Sequence, residues 1–105
     1  MIWQCDEMRP VLHGDVSNAA RALLNVPGQL RRELCERMIR EADAADVFVR
    51  REGRLHPLWG NGSLMSAARK RVLADEPGFD NPVYCQCFEM VLQGLLRHWA
   101  GPKRS

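Results

Sequence analysis

The sequence predicts an all-α fold, built as one compact domain of about four helices. Apolar residues recur at three- or four-residue spacing in four separate segments, which is typical of amphipathic helices. Proline and glycine residues separate these segments, and no run combines strict apolar–polar alternation with hairpin turns. With 105 residues, 46% hydrophobic and 27% charged, the chain has the composition of an ordinary globular domain. We expect the domain to span residues 8–101, between a flexible extension at 1–7 and a flexible tail at 102–105.

The first two helices are predicted from capping residues and apolar spacing. The first is expected to begin at Asp15 or Ser17, both good N-cap residues, and to end at Pro27-Gly28. The second is expected to run from about Pro27 to about Arg51, where Gly53 ends it. Its predicted apolar face is Leu30, Leu34, Met38, Ala42 and Ala45. Its outer face carries glutamates and arginines at i,i+4 spacing, so we expect these arginines to be neutralised within the helix: Glu33/Arg37, Glu36/Arg40, Arg32/Glu36 and Arg37/Glu41.

The third and fourth helices are predicted in the same way. Asn61 or Ser63 is expected to cap the third, which continues to about Val72 and stops before Pro77-Gly78. Asp80-Asn81-Pro82 supplies a cap and a first-turn proline for the fourth, and Gly101-Pro102 is expected to end it. The predicted apolar face of this last helix is Val83, Cys87, Val91 or Met90, Leu95 and Trp99, widened by Leu92 and Leu96.

Several function classes find no support in the sequence. His13, His56 and His98 lie in three different segments and have no metal-ligand spacing, so we expect no metal and no other cofactor. Two cysteines, Cys85 and Cys87, are two residues apart and would point to nearly opposite faces of a helix. No secretory signal is recognisable, so the cysteines are expected to be reduced in a cytoplasmic protein, and no apolar run is long enough for a membrane span. No catalytic arrangement favours an enzyme.

The segment between the second and third helices is the most distinctive part of the chain. It combines His, Pro, Trp and two Gly residues in a short stretch, which indicates a loop of fixed shape. Its candidate interaction residues are Arg54, His56, Trp59, Asn61 and Ser63. Trp59 is interpreted either as a plug over the end of the helical core or as an aromatic anchor for a partner. Free amides at the start of the third helix leave a small-anion site open.

A basic cluster flanks this segment. Residues 47–73 have a local charge of +5, and residues 74–96 have a local charge of −4. Either the basic residues form a face for nucleic acid, or neighbouring helices neutralise one another. The connector of about ten residues is too long for a helix-turn-helix. The candidate nucleic-acid contacts are Arg50, Arg51, Arg69, Lys70 and Arg71, with Arg54 beside them.

Two stretches resemble a small uncharacterised alphaproteobacterial protein family. They are Arg9–Val16 and the segment Gly53–Met65, which contains His-Pro-Leu-Trp-Gly-Asn-Gly-Ser-Leu-Met. The resemblance covers residues 8–99, implies a bacterial cytoplasmic protein, and supplies no catalytic residue. We expect a non-enzymatic interaction or regulatory adaptor module with an unknown protein partner, and homo-oligomerisation stays open. The alternative is a nucleic-acid-associated accessory protein, such as a packaging or regulatory factor.

Overall fold

The computed structural model describes residues 10–100, and it contains four α-helices in that range. They are α1 (His13–Leu24), α2 (Gly28–Glu52), α3 (Leu64–Ala68) and α4 (Pro82–Ala100). Between residues 10 and 100 there is no strand, only an isolated antiparallel bridge between His56 and Gly60. The predicted all-α fold is therefore confirmed. The expected extension at 1–7, the tail at 102–105 and the helix stop at Gly101-Pro102 lie outside the described residues.

Helix α1 begins earlier than the sequence predicts. Leu12 occupies the N-cap position, so Asp15 and Ser17 lie inside the helix and are not its caps. The Asp15 carboxylate nevertheless provides the capping bond, because its Oδ2 accepts a hydrogen bond from the Leu12 amide at 2.8 Å. An acidic group in the first turn also favours the positive end of the helix dipole. The predicted start of α1 at Asp15 or Ser17 is therefore wrong, and Asp15 acts from the third helical position.

Helix α2 follows its prediction closely. Its 25 residues end at Glu52. The C-cap residue, Gly53, has a φ of 72° in the left-handed region, and its amide donates to the Val49 carbonyl. At about 1.5 Å per residue the helix is about 37 Å long. Of the predicted apolar face, Leu30 is exposed and Leu34 is half-buried. The buried face comprises Cys35, Met38, Ile39, Ala42, Asp43, Ala45 and Asp46.

Helix α3 is shorter than expected, since it ends at Ala68 and does not reach Val72. The chain after it is held by a side-chain hydrogen bond back to α3 and by hydrogen bonds to α1. Arg71 Nη1 donates to the Ala67 carbonyl at 2.8 Å, and Arg21 Nε donates to the Ala74 carbonyl at 2.8 Å. The Ala74 amide in turn donates to the Arg21 carbonyl. These tertiary contacts hold residues 69–81 in an irregular path, and Val72 is exposed.

Helix α4 begins as predicted, but it buries a different face. Asn81 Oδ1 accepts hydrogen bonds from the amides of Val83 and Tyr84, and Pro82 is the first helical residue. Tyr84 was absent from the predicted apolar face and is the largest fully buried side chain among residues 10–100. The contacts of α4 with α1 and α2 cover one side of the helix, which leaves four predicted core residues 39–58% exposed: Val83, Leu92, Leu96 and Trp99.

Side chains from all four helices form the core. Its largest fully buried members are Tyr84, Leu23, Met38, Val91, Cys35 and Cys87. Cys35, Cys85 and Cys87 are free thiols, and Cys5 lies outside the described residues. Burial raises the pKa of Cys35 to about 11 and also raises that of Cys87. Among the helices of residues 10–100, none combines the length and apolar character required to cross a membrane.

Candidate interaction surface

Residues 53–63, named here the connector, have a shape defined by the backbone. Gly53, Gly60 and Gly62 adopt positive φ angles of 72°, 77° and 93°. His56 and Gly60 pair through two backbone hydrogen bonds of 2.8 and 3.1 Å, which close a tight loop around the residues between them. This geometry is consistent with the prediction that the segment is a loop with one fixed backbone conformation.

The imidazole of His56 stabilises that loop. Its Nδ1 accepts hydrogen bonds from the amides of Leu58 at 3.0 Å and Trp59 at 3.2 Å. An accepting Nδ1 leaves Nε2 to carry the proton of the neutral ring. The side chain therefore satisfies two loop amides, and the ring is held in one orientation.

Gly62 seats the connector on α2. A Cβ atom at this position would lie 2.6 Å from Asp46 Cα and 2.8 Å from Asp46 N, both backbone atoms of the helix. The positive φ of Gly62 and this close approach each favour glycine. The end of the connector is thus packed directly against the last part of α2.

Asn61 and Ser63 shape the connector from within. Asn61 Oδ1 accepts hydrogen bonds from the Ser63 amide at 2.9 Å and from Ser66 Oγ at 2.8 Å. Ser63 is the N-cap of α3, and its hydroxyl accepts from the Ser66 amide at 3.1 Å. The Met65 amide donates to Asp15 Oδ1 at 2.9 Å. Two amides at the start of α3 are therefore bound by protein side chains, which removes most of the basis for a small-anion site there.

A continuous row of side chains runs along one side of the connector. The Arg54 guanidinium lies 5.3 Å from the centre of the Phe48 ring, and Phe48 meets His56 edge-on at 4.9 Å. His56 in turn stacks on Trp59 with ring centres 4.6 Å apart. We call Arg54, Phe48, His56 and Trp59 the aromatic row. Three of its members were predicted as site residues, and the structure brings them together.

Phe48 is the member that the sequence prediction missed. It lies in the last turns of α2, where its half-buried ring extends toward the connector. An aromatic residue close before a helix-ending glycine was the available signal, because such a side chain can pack against the loop that follows. Trp59 is also half-buried, so it combines features of the core plug and of the exposed anchor.

Three of the six predicted nucleic-acid contacts, Arg50, Arg51 and Arg71, form ion pairs. Arg50 Nη2 lies 3.0 Å from Asp46 Oδ2, and Arg51 Nε lies 3.8 Å from Glu52 Oε2. Arg71 forms a bidentate pair with Glu41 at 2.6 and 2.8 Å. Because Glu41 precedes Arg50 by nine residues in α2, this pair lies about 14 Å from Arg50 along the helix axis.

Arg69 and Lys70 remain as exposed cations. Neither forms an ion pair or a side-chain hydrogen bond within residues 10–100. They follow the end of α3, whereas Arg54 follows the end of α2. The charge in this part of the chain is therefore divided between local ion pairs and a small exposed remainder.

The three histidines contact different partners. His13 lies 5.7 Å from the ring of Phe88, and His98 Nε2 lies 3.7 Å from Asp43 Oδ2. His56 belongs to the aromatic row. The described part of the chain contains no group of three or more His, Cys, Asp or Glu side chains arranged to hold a metal ion.

Comparison with known proteins places the chain in one family. No curated protein matches it, and no solved structure matches it. A family model described as a domain of unknown function, DUF7742, matches residues 9–95, which include α1, α2, α3, the connector and most of α4. The chain therefore belongs to the DUF7742 family.

Proposed function

We propose that the protein is a non-enzymatic interaction module that binds a partner protein through the connector. One observation carries the proposal: the connector is fixed by internal hydrogen bonds while it presents two exposed leucines, Leu55 and Leu58, at 64% and 61% exposure. A surface that is already ordered loses little conformational entropy when it binds. Exposed apolar side chains on such a surface gain free energy when a partner covers them.

The aromatic row adds features common at protein interfaces. Tryptophan and arginine are enriched among the residues that dominate binding energy, and Trp59 and Arg54 lie at opposite ends of the row. The exposed Arg54 guanidinium favours a partner that carries a carboxylate beside an apolar patch. The proposed partner is therefore a protein with an acidic and apolar surface.

The hydrogen bonds of Ser63 also favour binding over catalysis. Its hydroxyl donates to Ser66 Oγ at 3.2 Å and accepts from the Ser66 amide. A nucleophilic serine instead requires a neighbouring general base. These bonds identify Ser63 as part of the support of the connector. We propose that the protein acts in the bacterial cytoplasm, either as a monomer or as a homo-oligomer.

Capture experiments with two matched variants test the proposal. Leu58→Asp places a charge on the connector, whereas Val72→Asp places the same charge on another exposed apolar residue. After nuclease treatment of a bacterial lysate, we expect wild type and Val72→Asp to retain one stoichiometric protein that Leu58→Asp loses. Cross-linking should then place that protein against the connector. Equal capture by all three proteins would refute the proposal.

The alternative function, association with nucleic acid, is favoured by the exposed Arg69 and Lys70. Binding by these residues would fall steeply with salt, because phosphate contacts release counterions. The double change Arg69→Glu and Lys70→Glu should then abolish DNA or RNA binding and reduce the salt dependence. Binding that is unaffected by this change would exclude these two residues as contacts.

A further inference from the structure

A second surface lies along the first half of α2, where this helix packs against α4. It is a groove of about 330 Å³. Its walls carry three arginines, Arg32 and Arg40 from α2 and Arg97 from α4, together with Glu36 and His98. A volume of this size lies at the lower end of the range for sites that hold small molecules.

The positive charge of the groove is only partly neutralised. Glu36 Oε2 lies 3.4 Å from Arg32 Nε and 3.9 Å from Arg97 Nη2, so one carboxylate is shared by two guanidinium groups. Both distances exceed the roughly 2.7–2.9 Å of a strong charge-assisted hydrogen bond. The third guanidinium, that of Arg40, is exposed and forms no ion pair with the residues between 10 and 100. The groove therefore retains unsatisfied donors.

The floor of the groove is apolar and tightly packed. It is formed by Ile39 and Gly94, and a Cβ atom at Gly94 would lie 3.1 Å from Ile39 Cδ1 and 3.0 Å from Cys35 Sγ. An apolar floor lowers the local dielectric constant and strengthens the field of the surrounding cations. The buried Asp43 lies behind His98, 3.7 Å from its Nε2, and this carboxylate is farther inside the protein than the arginines.

We propose that this groove binds a small molecule bearing phosphate or carboxylate groups. Arg40 and Arg97 would each donate to its oxygens, and Arg32 would support Glu36 at the edge of the site. The planar guanidinium group matches the geometry of both oxyanions, because it can donate two parallel hydrogen bonds. The inference is independent of the proposed partner protein, since none of the groove residues belongs to the connector.

Isothermal titration calorimetry with inorganic pyrophosphate and, separately, with citrate tests this inference. We expect saturable binding of at least one of them by the wild-type protein. Arg40→Gln and Arg97→Gln should each weaken it by about tenfold or more, as expected when one charged hydrogen-bond donor is lost. Arg37→Gln is the matched control, because Arg37 lies on the outer face of α2 and pairs with Glu33 at 3.3 Å.

The outcomes distinguish the sources of the oxyanion. Binding of pyrophosphate alone identifies a phosphate ligand, and binding of citrate alone identifies a carboxylate ligand. Binding of both supports a site for either anion. The inference is overturned if neither anion binds, or if Arg37→Gln weakens binding as much as Arg40→Gln does. Circular dichroism of each variant verifies that the helices are retained.

Discussion

Replacement of Gly62 by alanine tests whether the connector is fixed against α2. Two costs are expected. A positive φ of 93° is unfavourable for a residue with a Cβ, by roughly 1–2 kcal/mol. The new methyl group would also lie 2.6 Å from Asp46 Cα, and overpacking of this kind costs typically about 1–3 kcal/mol. We therefore expect Gly62→Ala to lower the free energy of unfolding by about 2–5 kcal/mol.

Gly53→Ala separates the two costs. Gly53 has a φ of 72°, but a Cβ at this position would meet no atom within 4 Å. Its replacement should therefore cost only the roughly 1–2 kcal/mol of the backbone conformation. Urea unfolding followed by circular dichroism measures the free energy of unfolding of both variants. The comparison requires that the m-value, the dependence of this free energy on urea concentration, is unchanged. If Gly62→Ala costs no more than Gly53→Ala, the connector does not rest on Asp46 as described.

Three further predictions concern the rest of the fold. Asp15→Asn places an amide N–H against a backbone amide, so urea unfolding should show a loss of about 1–3 kcal/mol, whereas the exposed Asp75→Asn should change little. A double-mutant cycle of Glu41→Gln and Arg71→Gln should give a coupling energy of about 0.5–3 kcal/mol, and a value of zero would contradict the bidentate pair. Burial raises the pKa of Cys35 from 9.0 to about 11, so the thiol's contribution to stability is present below pH 9 and is lost as pH rises through about 11. Between pH 9 and pH 11 the free energy of unfolding should fall less in Cys35→Ala than in the wild-type protein. An equal fall in both proteins would refute the raised pKa of Cys35.

The sequence predicted features that depend on local interactions. Gly53 ends α2 and Asn81 caps α4, because each acts on backbone groups within a few residues. The length of α3 was not predictable in this way, because the chain after it contacts distant residues: Arg71 pairs with Glu41, thirty residues earlier, and Ala74 bonds to Arg21. The buried face of α4 was likewise misassigned, because burial of Tyr84 depends on which neighbouring helices cover it.

The same distinction applies to the two surfaces. The shape of the connector follows from its glycines and from His56, so its importance was apparent in the sequence. The groove was missed because i,i+4 spacing predicted that Glu36 would neutralise Arg40. In the structure Glu36 lies between Arg32 and Arg97, and the latter comes from a different helix. Pairing across helices cannot be derived from the spacing within one of them.

Both surfaces lie on α2, a single uninterrupted helix, which sets the distance between them. Arg40 in the groove and Phe48 in the aromatic row are eight residues apart, which corresponds to about 12 Å along the helix axis. Because the groove and the connector share no residue, an anion in the groove would leave Leu55 and Leu58 uncovered for a protein partner. A bivalent ligand would gain avidity only if its linker spans this separation.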